Sequence, residues 1–365
     1  MQVHIPLLIF CVLLCLIPSK NGTFREKWIM PLCMLLITVY MAIRYDYGLD
    51  FWSYYNAFFS DTTRTDVNEP LFWLFAHAFS KYYQLVAASS IALMIAIFFW
   101  VKKYIPYQWY SLFFLCFMCI PGMSFSMMTA MRTVMAFVVM TWGIYKYYIK
   151  SNRIGLFILS VIIATLFHNS AIFFLLLPLI SKAIWRIKPF VFFIIFILFS
   201  IFSFTGITQE ISYSIFGLLE NTSFIDADYY MHYADKYVSN VNGAIARSML
   251  LFPAFFICKY ARTIKEEGFK QFYVLSIIYL SIYFLSLDIE FRFTLYLFIF
   301  FIIALAMCLK KMKPLEIAIA ILPVAVLCVY QLNNYYNLMR EEMFGDYSEG
   351  NFFIYETIFD NLPLI

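Results

Sequence analysis

Four arginines in this sequence border apolar segments in separated parts of the chain, and their side chains suit one kind of chemistry. A guanidinium is planar and permanently charged, and it donates two parallel hydrogen bonds to phosphate or carboxylate oxygens. Charged side chains inside or beside membrane segments are costly, so those that occur often mark functional sites. The group therefore predicts a binding site for an anion such as a pyrophosphate; its members are Arg44, Arg132, Arg247 and Arg292.

Arg44 opens a segment, residues 44–55, that combines a cation with carboxylates and a row of aromatic rings. Asp50 could accept hydrogen bonds from sugar hydroxyls, and the ring of Tyr54 could pack against a sugar face. The alternative is an aromatic belt at the membrane interface with a local pair between Arg44 and an aspartate. Spacing alone favours that alternative.

Arg132 and His168 carry charge or proton-transfer chemistry in otherwise apolar surroundings. No acidic residue lies within fifteen positions of Arg132 on either side. Arg132 could bind an anion inside a helix bundle, or it could be a structural side chain that extends toward the interface. His168 could act as a general base, act as a general acid, or donate to a phosphate. A lone histidine is equally typical of a structural hydrogen bond.

Three further segments add weaker candidates. Asp228 lies in an acidic, tyrosine-rich stretch that could equally be a solvated amphipathic helix. Glu290 and Arg292 lie close together between two apolar segments, where a simple loop ion pair would have little effect on stability. Glu69 precedes a proline, and we predict that it caps the following helix rather than taking part in chemistry.

The composition restricts the class of protein. Apolar residues make up 64% of the chain and charged residues 13%, and the mean hydropathy is +0.80. Soluble proteins carry about 25% charged residues. A soluble core could not bury this much apolar surface, which excludes a soluble enzyme, a disordered chain and a DNA-binding protein. Continuous apolar runs predict an all-α polytopic integral membrane protein instead.

Metal and cofactor chemistry leave no signal in the sequence. The eight cysteines lie in apolar runs, away from histidines, and we predict small core side chains rather than a disulfide framework or a zinc site. The sequence has no glycine-rich phosphate loop, and no DxD-type motif lies near the arginines. We therefore expect no cofactor, no bound metal and no nucleotide-sugar substrate.

Twelve apolar segments are predicted to be the transmembrane helices that position these side chains. Six connections that hold most of the lysines and arginines alternate with six that hold most of the carboxylates, which places the basic set in the cytoplasm. We predict a single transmembrane domain, 1–365, with outer-face loops 44–81 and 207–243 and an outer-face tail 332–365. The twelve segments are 3–18, 28–43, 82–101, 107–121, 131–149, 154–167, 170–181, 188–206, 244–261, 271–287, 293–309 and 314–331.

This topology requires a specific structure in two regions of the chain. Residues 68–81 must not cross the membrane, and we predict a short interfacial helix there. Residues 154–181 must form two short helices that fold back at 168–170, because one continuous helix would place the next basic connections outside. With both choices, the four arginines face the side opposite the cytoplasm.

The segments that carry chemistry form an ordered set of short motifs. They are Arg44 with Gly48-Leu49-Asp50-Phe51-x-x-Tyr54, Asn68-Glu69-Pro70, Met131-Arg132-x-x-Met135-Ala136, Ala164-Thr165-Leu166-Phe167-His168-Asn169-Ser170-Ala171, Glu290-Phe291-Arg292-Phe293 and Ile354-Tyr355-Glu356-Thr357-Ile358-Phe359. In this order the chain resembles the EpsG family of O-antigen polymerase-like (Wzy-type) membrane glycosyltransferases, over roughly residues 40–360.

The resemblance implies a GT-C-like, metal-independent glycosyltransferase of the bacterial inner (plasma) membrane. Such a polymerase joins oligosaccharide repeat units carried on undecaprenyl pyrophosphate into O-antigen, capsule or exopolysaccharide. Its active site faces the periplasm or the exterior. The implied partners are the lipid-linked donor and acceptor, membrane lipid and a chain-length regulator, with no nucleic acid.

The predicted roles fall into two sets. The catalytic candidates are Arg132, which would stabilise the leaving pyrophosphate, and a base that is His168, Asp50 or Asp228. The side chains predicted to bind substrate are Arg44, Tyr54, Asp228, Arg247, Glu290 and Arg292.

Two other functions fit the same composition. A flippase or transporter for a lipid-linked glycan would also hold cations, but closer to the membrane midplane and with access from both faces. A membrane acyltransferase acting on a surface polysaccharide could use His168 as its base. The predicted clustering of the candidate residues on one face favours the polymerase.

Overall fold

The structure is a computed structural model that describes most of the chain. The described residues are 3–18, 22–45, 51–59, 69–119, 127–128, 130–205, 207, 210, 214, 241–285, 290–344 and 356–357. Within these ranges, the description is limited to the backbone at 45, 51–53, 241–243, 290–293, 334–344 and 356–357.

Within the residues just named, each of the twelve predicted apolar segments contains helix. The α-helices are α1 (His4–Leu16), α2 (Met30–Ala42), α3 (Phe51–Phe59), α4 (Pro70–Ala76), α5 (Tyr82–Tyr104), α6 (Tyr110–Cys119), α7 (Met131–Gly143), α8 (Ile154–Thr165), α9 (Leu177–Arg186), α10 (Pro189–Ser203), α11 (Val241–Ser248), α12 (Leu251–Tyr260), α13 (Phe269–Leu285), α14 (Glu290–Leu309) and α15 (Pro314–Phe344). Shorter turns of π or 3-10 geometry adjoin four of them, at Arg25–Ile29, Tyr107–Trp109, Ile144–Lys150 and Asn169–Leu176.

Three helices in the described part of the chain are long and apolar enough to cross a bilayer: Tyr82–Tyr104, Asn169–Arg186 and Pro314–Asn333. A full crossing needs about 20 helical residues. The prediction of about twelve transmembrane helices with a GT-C-like fold therefore stays a prediction. Shorter apolar helices accompany the three at His4–Leu16, Ile154–Thr165, Pro189–Ser203, Phe269–Leu285 and Thr294–Leu309.

The helix break predicted near residue 168 is confirmed. α8 ends at Thr165, and the 3-10 helix Asn169–Leu176 begins the next helical segment and packs against α8. In the turn, the N–H of His168 donates to the Ala164 carbonyl at 3.0 Å, and the N–H of Ala171 donates to the His168 carbonyl at 3.1 Å. These two bonds fix the backbone on both sides of the histidine.

The short helix predicted ahead of α5 is α4, and it begins at Pro70. Proline suits the first helical position, because its φ is fixed and the N–H it lacks has no partner within a helix. The N–H of Leu71 donates to the carbonyl of Leu166 at 3.0 Å. This bond ties the start of α4 to the end of α8 and brings the backbone of Glu69 toward that of His168.

The chain forms two compact units. Residues 1–178 and 331–365 make up the first, and residues 179–330 make up the second. In the first unit α1 packs on α6, α2 on α5, α5 on α7, and α7 on α8. In the second, α13 packs on α14, and α10 packs on α12 and α13. The prediction that these helices make one transmembrane domain stays a prediction.

The close approach of α7 and α8 depends on Gly143. A Cβ at this position would overlap the side chain of Ser160 on α8. The Ser160 hydroxyl donates to the Phe157 carbonyl at 2.6 Å, which holds it in place. Because α7 begins next to Arg132 and α8 leads into the turn of His168, this packing helps to set the distance between those two residues.

A short strand pair joins distant parts of the first unit. Strand β1 (Arg44–Tyr45) pairs antiparallel with strand β2 (Glu356–Thr357). Arg44 lies opposite Thr357, and Tyr45 lies opposite Glu356. Residues 356–357 therefore lie beside the segment that follows α2.

Candidate active site

Glu69 is buried at a point where several segments of the first unit meet. It directly precedes α4, but its side chain makes no hydrogen bond to the first turn of that helix. The prediction that Glu69 caps α4 is therefore wrong. Its carboxylate contacts Arg132 and His168 instead, which lie 63 and 99 positions away in the sequence.

Arg132, the second residue of α7, binds one oxygen of that carboxylate. Its Nη1 lies 2.8 Å from Oε2 of Glu69, and its Nε donates to the Tyr54 hydroxyl at 2.9 Å. The guanidinium also lies over the Tyr54 ring, with Cζ 5.3 Å from the ring centroid, in a cation–π contact. Partners on two separate segments thus fix the orientation of the guanidinium.

His168 and its neighbour bind the other oxygen. Nδ1 of His168 hydrogen-bonds to Oε1 of Glu69, and the backbone N–H of Asn169 donates to the same oxygen at 3.2 Å. Asn169 begins the 3-10 helix, so the carboxylate caps that helix and not α4. A carboxylate that orients a histidine is a recurrent arrangement around general bases.

Opposing effects act on the protonation of Glu69. Burial by itself would raise its pKa. The hydrogen bond and charge of His168, the charge of Arg132 and the N–H of Asn169 outweigh burial, so the pKa lies below its ordinary value of 4.5. The carboxylate is therefore ionised at neutral pH and can act as the negative partner of both neighbours.

Exposure differs among the three side chains. Those of Glu69 and His168 are 4% and 7% exposed, whereas that of Arg132 is 37% exposed. Among the described residues, none accepts a hydrogen bond from Nη2 of Arg132. Tyr54 and Glu69 thus hold Nε and Nη1, which lie on different edges of the guanidinium, and Nη2 is the donor left for an anion in the described part of the chain.

An apolar cluster packs beside the side chains of the candidate site. It includes Tyr54 and Met131, the residue before Arg132, and Phe167 beside His168 packs against it. Apolar surroundings lower the local dielectric constant and strengthen the ion pair and hydrogen bonds within the site. Its buried members are Tyr54, Phe58, Phe72, Ala76, Tyr82, Leu85, Val86, Met131 and Met135.

Comparison with known proteins identifies the family to which this site belongs. The model of the EpsG family matches residues 27–350. The chain belongs to the EpsG family. This is a family of Wzy-like polymerases, and membership together with the apolar helices indicates a membrane protein with a polysaccharide polymerase-type function. Searches of curated proteins and of solved structures found no match.

The family match includes every residue of the arrangement around Glu69, and also Arg44. Arg44 is buried, and its Nη1 donates to the Ser90 hydroxyl at 2.9 Å and to the Met41 carbonyl. Its Nη2 donates to the Met128 carbonyl. These bonds join α2 and α5 to the segment ahead of α7. They give Arg44 a structural role in this EpsG-family chain, and its predicted contact with substrate stays a prediction.

The other predicted residues stand as follows. Asp50 and Asp228 lie outside the described residues. Glu290 and Arg292 belong to the first turn of α14, which begins earlier than predicted, and their side chains lie outside the description. Arg247 lies in the last turn of α11, in the second unit, and its Nε and Nη2 have no hydrogen-bond partner among the described residues.

The structure thus brings together three of the predicted side chains, Tyr54, Arg132 and His168, and adds one that sequence reasoning placed elsewhere. The sequence did contain a signal that Glu69 could be the partner of Arg132. An arginine in apolar surroundings without a nearby carboxylate calls for a distant one, and Glu69 borders a short apolar helix on the same predicted face.

Metal binding has no support from the described residues, which contain no group of three or more His, Cys, Asp or Glu side chains able to hold an ion. The metal independence of the reaction remains a prediction. All eight cysteines are buried, as expected for small core side chains.

Proposed function

We propose that this protein polymerises undecaprenyl-pyrophosphate-linked oligosaccharide repeat units on the outer side of the bacterial inner membrane. The product is O-antigen, capsule or exopolysaccharide. Membership of the EpsG family supports a polymerase. The observation that carries the proposal at the level of residues is the connection of the part-exposed Arg132 to His168 through the carboxylate of Glu69.

Arg132 is the proposed ligand of the donor. The pyrophosphate accepts charge-assisted hydrogen bonds from Nη2 of its guanidinium. As the bond between the anomeric carbon and the phosphate oxygen breaks, undecaprenyl pyrophosphate leaves with the electron pair, and the guanidinium stabilises the charge that develops. Tyr54 and Glu69 already orient Arg132, so little reorganisation is needed during the reaction.

His168 is the proposed base. A hydroxyl at the non-reducing end of the acceptor unit forms the new bond to the anomeric carbon, and its proton passes to the imidazole. His168 is chosen over Asp50 and Asp228 because it shares a carboxylate with Arg132. The ring is only 7% exposed, so we expect the surrounding chain to rearrange when the acceptor binds.

The paired arrangement favours group transfer over the two alternatives. A flippase needs a site near the midplane with access from both faces, and it needs no base. An acyltransferase needs a base but no ligand for a pyrophosphate leaving group. An anion ligand and a histidine joined by one buried carboxylate suit the transfer of a glycan from a pyrophosphate carrier.

The test is complementation of a deletion strain, followed by electrophoresis of its surface polysaccharide. We expect Arg132→Ala to lose the long-chain ladder and retain single lipid-linked units, because removal of one such charge-stabilising donor lowers a rate by roughly 100- to 1,000-fold. The control is Arg153→Ala, which replaces an exposed arginine ahead of α8 and should keep the wild-type ladder. Immunoblots establish that both variants are present at the wild-type level.

Three outcomes contradict the proposal. A normal ladder from Arg132→Ala at a normal protein level removes Arg132 from the reaction. Accumulation of lipid-linked units on the cytoplasmic leaflet in the deletion strain indicates a flippase. Chains of full length that lack an acyl group indicate an acyltransferase.

A further inference from the structure

We propose that Glu69 is the positioning residue of this site: its carboxylate holds His168 with one oxygen and Arg132 with the other, and so fixes the histidine tautomer and the spacing between base and anion ligand. The inference rests on the proposed function, because it assigns Glu69 a part in that reaction.

The first argument concerns the tautomer. An ionised carboxylate can only accept hydrogen bonds. The hydrogen between Oε1 of Glu69 and Nδ1 of His168 therefore belongs to the imidazole. With its proton on Nδ1, a neutral imidazole carries its basic lone pair on Nε2. Glu69 thus selects Nε2 as the nitrogen that accepts the proton of the acceptor hydroxyl.

The second argument concerns the rigidity of Glu69 itself. Its carbonyl accepts the N–H of Phe72 at 3.2 Å, and the next residue but one, Leu71, is bonded to Leu166 of the His168 turn. Its Oε1 also accepts the N–H of Asn169 at 3.2 Å. Backbone and side chain are therefore both anchored to the turn that presents the histidine, as accurate positioning of a base requires.

The third argument concerns charge during the reaction. Before proton transfer, the negative charge of Glu69 is balanced by Arg132. When Nε2 accepts a proton, His168 becomes an imidazolium, and the carboxylate stabilises this new charge at Nδ1. The Nδ1 proton stays on nitrogen throughout. Glu69 thus acts through His168 and Arg132 and needs no contact with substrate.

The experiment uses the full-length protein in lipid nanodiscs with a synthetic lipid-linked repeat unit, and it measures kcat and KM against pH. We expect Glu69→Gln to lower kcat by up to about 10,000-fold, because loss of the carboxylate that orients a histidine base leaves the wrong tautomer. The acid limb of its kcat profile should move to lower pH, because the charge that stabilised the imidazolium is gone. The KM for the donor should change less than kcat. The control is Glu26→Gln, at an exposed glutamate, with an unchanged profile.

Two further measurements separate positioning from a purely structural role. Glu69→Asp keeps the charge and should keep the acid limb at its wild-type position, with kcat between those of the wild type and Glu69→Gln.

The chain has only four histidines, so ¹⁵N-histidine labelling, with His168→Gln for assignment, reports the tautomer directly. We expect the Nδ1–H form in the wild type and loss of its dominance in Glu69→Gln. An unshifted acid limb together with an unchanged tautomer overturns the inference, whatever happens to kcat.

The same assay separates failure of this inference from failure of the proposed function. If Arg132→Ala and His168→Gln both polymerise at the wild-type rate, the site is not the active site and both proposals fall. If both variants are inactive while Glu69→Gln keeps the wild-type rate and pH profile, the polymerase site stands and the role of Glu69 falls.

Discussion

Arg44 and Arg132 both border an apolar helix in the first unit, but their side chains are bound in different ways. Arg44 is buried, and the hydrogen bonds described for it run to a serine hydroxyl and two backbone carbonyls. Arg132 pairs with the carboxylate of Glu69 and the hydroxyl of Tyr54, and more than a third of its side chain is exposed. From the sequence, both were candidates for binding an anion.

The difference teaches that the partners of an arginine, rather than its residue type, indicate its role. The guanidinium of Arg44 donates hydrogen bonds to backbone carbonyls and a hydroxyl on separate segments, and it thereby links α2, α5 and the chain ahead of α7. In Arg132, a single carboxylate and a phenol hold Nη1 and Nε, and Nη2 is left as a donor among the described residues. Arg44 therefore stabilises the fold, and Arg132 is available for chemistry.

The strongest test of this contrast replaces each arginine by alanine and measures stability and activity together. We expect Arg44→Ala to lower the melting temperature and the yield of folded protein, because its loss leaves buried acceptors without donors, at a cost of roughly 2 kcal/mol or more in total. Arg132→Ala should lose polymerisation with a smaller loss of stability. Size-exclusion profiles and thermal unfolding in detergent provide the measurement.

The reverse pattern would remove the distinction. If Arg44→Ala folds with wild-type stability but does not polymerise, Arg44 belongs to the substrate site as the sequence first predicted.

A second, smaller effect is the pH dependence of stability, which should be controlled by the ionisation of the Glu69 carboxyl. Because the pKa of Glu69 is lower in the folded protein than its ordinary value of 4.5, its ionised form stabilises the folded state above pH 4.5. That contribution is lost as the pH falls through the lowered pKa. The melting temperature of the wild type should therefore drop below pH 4.5, and this drop should be smaller in Glu69→Gln. A variant at Ser90, which contacts Arg44, should keep the wild-type pH dependence.

The smallest expected effect is that of Ser90→Ala. Its hydroxyl accepts a hydrogen bond from Arg44 and donates to the Val86 carbonyl at 2.8 Å. Loss of one such buried interaction costs about 1 kcal/mol. We expect a small decrease in melting temperature and an unchanged polysaccharide ladder. A lost ladder with normal stability would connect the Arg44 region to the reaction.

The helices of the twelve apolar segments were predictable from the sequence because each segment is bounded by charged or turn-forming residues, whereas α3 lies in a predicted loop and was not predicted. The break before His168 was also predictable, although its local signal is weak, because the charge distribution required the chain to turn there. Arg132, His168 and Tyr54 were identified by residue type, since proton-transfer and anion-binding groups are rare in apolar surroundings.

The connection among these residues could not be read in the same way. Glu69 lies 63 residues from Arg132 and 99 from His168. Contacts at such separations have no sequence period, and the following proline gave a local explanation that fitted equally well. The partners of Arg44 were hidden for another reason, because two of them are backbone carbonyls, which every residue has. Residue type thus predicted Tyr54, Arg132 and His168, and the fold adds Glu69 and reveals how the four side chains are arranged.

The pairing of β1 with β2 has a consequence for the biogenesis of the protein. It joins residues 44–45 to residues 356–357, which the ribosome makes much later. The pair can form only after residues 356–357 have been synthesised, so the strand that carries Arg44 must wait for its partner during membrane insertion.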